Sequence, residues 1–496
     1  MGFGGRGTTI LVALIGATAV AMLLPAAVGF TLREHALARA FLYSSALLTT
    51  GAGLIHLAGR NLTGRNAMLA HPFSYLALIY LLLPALMAIP LTEAVPGLRF
   101  RDAWFEMIAA FTTTGASVIE GDITLSLHLW RALVAWGGGL FILVVATALL
   151  APMTLGGFEL FATQARRQTD LAGWQRAHRS SVLDEGYGDK SLTRLRDQLS
   201  VIAPFYAGLT LVLWVALSIA GNPPLAALIV AMSTLSTSGI TPEPVLMGGV
   251  SELLVALVLM LALCRRFWPG AQLTLGRQPL ARDLELRTGL VLLGAIVALM
   301  SLRLIFDGGT TLAALWGHGF TALSFLTTTG FVSAHAVGPD GVFAGPAGMV
   351  LIGLAMIGGG VATTAGGLKL LRAFALFWQA RHEVERLVYP ASVGGDGNRL
   401  RGLRELGAVS AWQFLMIFIL SLMALTALLT LAGLRMEDAI VFAVAALATT
   451  GPLAQVAGDA PLLWSDLGDL TRAALAFGMI LGRLELLLML SIFWRR

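Results

Sequence analysis

The chain has 496 residues, 57% of them hydrophobic and 12% charged, with a mean hydropathy of +0.81. Soluble domains carry about one quarter charged residues, so this composition excludes a disordered chain, a collagen-like chain and an ordinary cytosolic enzyme. The net charge of +5 does not mark a nucleic-acid binder, because its basic residues sit where a membrane topology puts them, and the single cysteine, Cys264, excludes an intramolecular disulfide, a CxxC redox pair and a thiolate zinc site.

Apolar runs long enough to cross a bilayer recur from end to end, which defines a polytopic membrane protein. The sequence predicts spanning helices at about 9–31, 41–59, 72–94, 128–152, 198–220, 250–268, 286–306, 346–373, 408–433 and 469–494. The first run, Thr9 to Phe30, has the length of a span; the alternative is a cleaved leader. Four apolar stretches are left over, at about 102–113, 223–236, 312–327 and 437–449. They are too short for a hydrocarbon core of about 30 Å and fit re-entrant half-helices.

The leftovers share an ending. They close on Thr113-Thr114-Gly115, Thr237-Ser238-Gly239, Thr328-Thr329-Gly330 and Thr449-Thr450-Gly451, with glycines 124, 91 and 121 residues apart. Each copy follows a span and a short apolar segment and precedes another span. The repeating unit is therefore helix, half-helix, loop, helix. The predicted fold is an all-α polytopic membrane protein, with four pseudo-repeats around one central pore and two leading transmembrane helices. It divides into leading helices (1–66), repeat 1 (67–165), a cytoplasmic loop (166–197), repeat 2 (198–280), repeat 3 with an intramembrane gate loop (281–385), a second cytoplasmic loop (386–407) and repeat 4 (408–496). Segments 153–197, 265–287 and 369–404 hold nineteen Lys and Arg, whereas the segments between each glycine and the next span hold none. That asymmetry turns the inter-repeat loops to the cytoplasm and the four glycine loops outward.

A glycine in a short extended loop lets the backbone turn consecutive carbonyls to one side. Threonine and serine add hydroxyl oxygens without bulk. Four such loops around an axis would form rings of neutral oxygens able to replace a cation's water shell. A half-helix ending there would aim its partial negative charge at the cation. The competing reading of any single copy is a plain helix end, with glycine as cap; the fourfold repetition favours the filter. Acidic residues follow each glycine, namely Glu120, Asp122, Glu243, Asp340 and Asp459, with Asp466 and Asp469 beyond. Together they read as a cation-concentrating outer mouth, or singly as a solvated rim.

Two further features lie within spans. Gly358-Gly359-Gly360-Val361-Ala362-Thr363-Thr364-Ala365-Gly366-Gly367, followed by Leu368-Lys369, is too glycine-rich for a stiff helix interior. It reads as a gate able to cross the conduction path, the alternative being close helix packing through small residues. Arg483 falls deep in the last span, so its guanidinium should face the protein interior. There it would oppose ion residence and speed release to the cytoplasm, or pair structurally with another helix.

These residues resemble the Trk/Ktr/HKT superfamily of potassium and sodium transporters, above all the bacterial TrkH/TrkG membrane subunit. The resemblance covers nearly the whole chain. It rests on the four filters, Arg131 with Trp136-Gly137-Gly138-Gly139, Ala365-Gly366-Gly367-Leu368-Lys369 and Gly482-Arg483-Leu484-Glu485. It implies potassium uptake at the bacterial inner membrane, with filter oxygens from the pair before each glycine. It also implies the gate loop as gate, Arg483 as an ion-release barrier, and a homodimer with one pore per subunit. No cofactor is expected in this chain; nucleotide is expected on a separate cytoplasmic RCK-type regulatory subunit, TrkA-like. Tyr389-Pro390 departs from the family's usual His-Pro, and Gly451-Pro452-Leu453 from its usual Gly-Pro-Gly. All four filter glycines are present, which by analogy favours potassium over the sodium-selective members. The rivals are a sodium-permeable protein of the same fold and an alternating-access carrier. A membrane-embedded enzyme would need a convergent His, Asp or Cys constellation in the spans, and the sequence offers none.

Overall fold

A computed structural model describes residues 6–59, 72–119, 121, 123–150, 187–243, 248–269, 283–306, 312–336, 346, 348–388, 408–458 and 460–484. Helices dominate, and no β-strand occurs among the described residues. In lipid this follows from hydrogen bonding, since a helix satisfies its own backbone and an open sheet edge does not.

The leading region comprises α1 (Arg6–Ala21) and α2 (Leu23–Thr31), a single apolar span bent at Met22, and α3 (His35–Gly59), which packs antiparallel on both. Repeat 1 contributes α4 (Pro72–Ala94), the half-helix α5 (Phe100–Phe111) and α6 (Leu125–Val145), extended by a π turn at Ala146–Leu150. Repeat 2 has α7 (Tyr187–Ile219), half-helix α8 (Pro224–Ser236) and α9 (Gly248–Leu259). Repeat 3 has α10 (Leu284–Phe306), half-helix α11 (Leu312–Leu326), then α12 (Gly348–Ile357) and α13 (Leu370–Val388) on either side of the glycine-rich segment. Repeat 4 has α14 (Ala408–Leu431), half-helix α15 (Met436–Leu447), the single turn α16 (Leu453–Val456) and α17 (Asp469–Arg483).

All four half-helices fall where the sequence places them, and their buried faces form one continuous core with the flanking spans. Among the described residues, seven helices are long and apolar enough to cross a membrane. Two of the ten expected spans differ. The span at 250–268 stops being α-helical at Leu259 and continues as two 3₁₀ turns, Met260–Leu263 and Arg265–Phe267, separated by an extended Cys264. The span at 346–373 is two helices with an irregular loop between them. For 469–494, helix is described to Arg483; Glu485 and Trp494 lie outside the described residues, as do Tyr389-Pro390 and most of the segments 166–197 and 386–407 expected as loops.

The last repeat closes onto the first. Asp102, in the first turn of α5, pairs with Arg99 at 2.7 Å and with Arg472 of α17 at 2.6 Å. Asp469, at the start of α17, pairs in turn with Arg99 and Arg101. Residues some 370 positions apart are thus joined on the face where α5 begins.

Candidate functional site

Each half-helix ends in the same way. In repeat 1 the Thr113 N–H donates to Ala110 at 2.8 Å and the Thr114 N–H reaches back to Ala109 at 2.8 Å. The same pair of bonds recurs at Thr237/Ser238, Thr328/Thr329 and Thr449/Thr450. That is the Schellman closure, which requires a left-handed residue just past the helix end. A threonine holds that position in all four copies, with φ of 58° at Thr113, 53° at Thr237, 57° at Thr328 and 52° at Thr449. Each copy is therefore a helix end, as the competing reading of a single copy has it. The residue that caps, however, is the threonine and not the glycine expected from sequence.

The glycines do something else. A Cβ on Gly115 would overlap the Ser238 carbonyl oxygen of the second loop, and one on Gly239 the Thr329 carbonyl oxygen of the third. On Gly330 it would lie 2.8 Å from Pro452 of the fourth loop, and on Gly451 2.6 Å from the Thr114 carbonyl oxygen of the first. The order one, two, three, four, one closes a ring in which each loop leans on the next. The Gly451 N–H donates to Thr114 O at 2.6 Å across the closing joint.

The fourth loop departs from the other three. Gly115, Gly239 and Gly330 have positive φ, of 75°, 69° and 86°, and Gly451 does not. After it the chain turns at once into α16, and the Pro452 ring packs against Gly239 and Gly330. The four loops are thus not equivalent, and the fourth turns helical where Pro452 fixes a φ of −60°.

The loop hydroxyls divide by role. Those of Thr114, Ser238 and Thr329 bond to the last hydroxyl of their own half-helix, at 2.9 Å to Thr112, 3.0 Å to Ser236 and 3.0 Å to Thr327. In the fourth loop Ala448 replaces that partner, and the Thr450 hydroxyl donates to its carbonyl at 3.2 Å. The Thr113 and Thr449 hydroxyls are buried without any protein partner. Buried hydroxyls ordinarily find one, which sets these two apart from the other loop hydroxyls. The run of three hydroxyl residues at 112–114, 236–238 and 327–329 was the available sequence signal for the bracing partner.

Beneath the ring lies the loop Gly358–Lys369, irregular and almost wholly buried. Its neck is pinched by bonds from the N–H groups of Leu368, Lys369 and Leu370 to Met356, Ile357 and Gly359. Left-handed turns at Gly358, Ala362, Gly367 and Lys369 fold it back on itself, and the Lys369 ammonium donates to the Ala365 carbonyl. Its tip meets the ends of three half-helices. Gly366 N–H donates to Thr328 Oγ1 at 2.8 Å, and the Thr364 hydroxyl to Leu235 O at 3.1 Å. A Cβ on Gly366 would sit 2.5 Å from Thr449 Oγ1. Thr363 Oγ1 bonds within the loop to Gly360 O at 2.8 Å. The small residues do allow close packing, but by a loop and not between two helices.

Arg483, 4% exposed, donates from Nη1 to the Thr364 carbonyl of this loop at 2.6 Å. No carboxylate among the described residues pairs with it. A small cleft lies between the loop, the π turn of α6 and Arg483. The glycine before Arg483 is needed for approach, since a Cβ on Gly482 would overlap the Leu447 carbonyl at the end of α15. Gly138 of α6 stands in the same relation to Phe111 at the end of α5.

Of the five acids expected at the outer mouth, Glu243 is exposed in the turn after the second loop. There it borders a cleft with Asn222 and Ser251 of its own repeat. Glu120, Asp122, Asp340 and Asp459 lie outside the described residues. Sequence reasoning missed two buried carboxylates that brace the loops. Glu106 of α5 pairs with Arg131 at 2.5 Å and accepts the Val118 N–H at 2.8 Å. Glu252 of α9 accepts from Ser333 Oγ at 2.8 Å, Ala334 N–H at 2.7 Å and Trp316 Nε1 at 2.7 Å. A lone glutamate in an apolar helix was the only sign of either.

Four helix-end loops closed into a ring, with an irregular buried loop packed against them, belong to a helical fold shared with TrkH-type membrane proteins. The structure superposes on the potassium transporter TrkH from Vibrio parahaemolyticus with a TM-score of 0.79 and 23% identity, covering 98% of this chain and 99% of that one. In sequence it is 27% identical over 428 residues to the Trk system potassium uptake protein TrkI of Halomonas elongata, covering 82% of this chain and 81% of that protein. It is 28% identical over 443 residues to the Trk system potassium uptake protein TrkG of Escherichia coli, covering 85% of each. No family model matches the chain.

Proposed function

We propose that this protein carries potassium into the bacterial cell through its four-loop ring, and that it is a transport protein and not an enzyme. The closed ring supports this reading most directly, because it places four left-handed threonines and the carbonyls beside them around one axis. Neutral oxygens so arranged can replace a potassium ion's water shell. The relatives named as potassium uptake proteins favour potassium over sodium as cargo. In this reading Thr113, Thr114, Gly115, Thr237, Ser238, Gly239, Thr328, Thr329, Gly330, Thr449, Thr450 and Gly451 form the filter. Thr114, Ser238 and Thr329 contribute carbonyls, since their hydroxyls are engaged. The Gly358–Lys369 loop is the gate, and Arg483 both steadies it and repels the ion below the filter.

The chain sits in the inner membrane with filter loops outward, as its Lys and Arg distribution supports. The relatives' Trk system names favour an assembly, which we take to be a homodimer with a cytoplasmic nucleotide-binding regulatory subunit. Glu120, Asp122, Glu243, Asp340 and Asp459 line the entrance in this scheme. The test is ion flux into proteoliposomes holding only the purified protein, under potassium and then sodium gradients, alongside a variant with the gate loop shortened. Potassium-favouring flux that rises in the shortened variant is expected. Silence of both proteins toward both ions would overturn the filter assignment.

A further inference from the structure

The far side of the gate loop is tied down at a place that the filter does not reach. Where α9 breaks off, the Ala262 carbonyl accepts the Gly360 N–H at 2.9 Å, and a Cβ on Gly360 would lie 2.5 Å from Leu263 O. The next residue of the loop, Val361, donates its N–H to Glu285 Oε1 at 2.8 Å. Glu285 stands in the first turn of α10 and is 2% exposed. Arg265, 3% exposed, and Lys369 are the cationic groups facing its carboxylate.

Glu285 is itself held from the turn after α9. Asp283 caps α10, its Oδ1 accepting the N–H groups of Glu285 at 3.0 Å and Leu286 at 3.2 Å. Its Oδ2 accepts from Arg266 Nε at 2.6 Å. A continuous line of bonds thus runs from Arg266 through Asp283 and the start of α10 to Glu285 and the gate loop. Cys264, Asp283 and Glu285 bring potential metal ligands within 4.8 Å of one another. Two guanidinium groups share that cluster and both Asp283 oxygens are committed, which disfavours a cation there.

We propose that Glu285 is the latch of the gate: by accepting the Val361 amide, its carboxylate positions the loop in its closed place beneath the ring. The proposal rests on the pore reading given above. A buried amide left without its acceptor is costly, so losing the Glu285 bond leaves the Val361 N–H to seek another partner. Glu285→Ala should therefore shift the loop toward the open state by about tenfold, in keeping with the loss of one hydrogen bond to a charged group.

The experiment compares wild type, a gate-shortened variant, Glu285→Ala and Glu285→Gln in proteoliposomes under a potassium gradient. Hydrogen exchange of peptides covering 358–369 is read in parallel. Glu285→Ala is expected to raise flux and to speed exchange in those peptides, with the filter peptides unchanged. Glu285→Gln keeps an oxygen for the Val361 amide and should stay near wild type. Unaltered flux and exchange in Glu285→Ala, beside a gate-shortened variant that conducts, would overturn the latch and leave the pore reading standing. A glutamine variant as open as the alanine variant would also overturn it, since the amide bond would not then be the holding contact. A gate-shortened variant that conducts nothing overturns the pore reading, and the latch falls with it.

Discussion

A threonine in the left-handed region is costly, because its branched Cβ crowds the backbone there, at about 1–2 kcal/mol per residue. Four half-helices carry that strain at Thr113, Thr237, Thr328 and Thr449, where glycine would close a Schellman turn without it. If these residues were caps and nothing more, glycine would serve better, so replacement separates the two roles. Thr113→Gly should leave thermal stability unchanged or raise it by about 1 kcal/mol, by relief of strain, while lowering potassium flux. Undiminished flux in that variant would make the threonine a cap alone. The neighbouring glycine gives the converse test. Any side chain at Gly115 must displace the Ser238 carbonyl of the next loop, so Gly115→Ser should change the ratio of potassium to sodium flux by about tenfold as the oxygen ring deforms. An unchanged ratio would remove Gly115 from the filter.

At the scale of elements, the half-helices were legible because length is a physical signal. A segment of a dozen apolar residues cannot cross the hydrocarbon, and it must return. The break of α9 at Leu259 was not legible, since the apolar run continues to Cys264 without glycine or proline. That break accompanies the docking of the gate loop on Ala262, a partner distant in sequence. Buried glutamates escaped notice for the same reason: Glu252 meets Ala334, 82 residues away, and Glu285 meets Val361, 76 away. The Glu106–Arg131 pair shows what such bracing contributes. It joins a half-helix to the following span and holds the Val118 amide just beyond the first filter. Arg131→Met would strand a buried carboxylate, and removing one partner of such a pair costs about 3–5 kcal/mol. The double variant Glu106→Gln/Arg131→Met should recover much of that loss, because no charge is left uncompensated. Thermal melting in detergent reads both; a single variant as stable as wild type would mean that the pair does not brace the loop.

For the molecule as a whole, the ring of loops and the Gly358–Lys369 loop are held by helices from different repeats, so no repeat builds this arrangement by itself. The fourth repeat has the widest reach. Arg472 of α17 closes the ring against Asp102 of the first repeat, while Arg483 at the other end of α17 grips the gate loop of the third. One helix thus spans from the face where α5 begins to the plug beneath the filter. The guanidinium of Arg483 is buried without a carboxylate partner among the described residues, an expensive state in an apolar surrounding. Its bond to the Thr364 carbonyl recovers part of that cost while the loop stays in place. Two effects then point the same way in Arg483→Ala. The loop loses a charge-assisted bond of about 1.5–3 kcal/mol, and a positive charge that opposes potassium below the filter is gone. Potassium flux at equal protein density should rise at least several-fold. If flux instead falls while the protein melts at the wild-type temperature, Arg483 supports the conducting arrangement and the barrier role is wrong. Arg483→Lys distinguishes the two contributions. It keeps the charge but lacks the planar fork that fits the carbonyl, so it should release the loop while still repelling the ion, and its flux should lie between wild type and alanine.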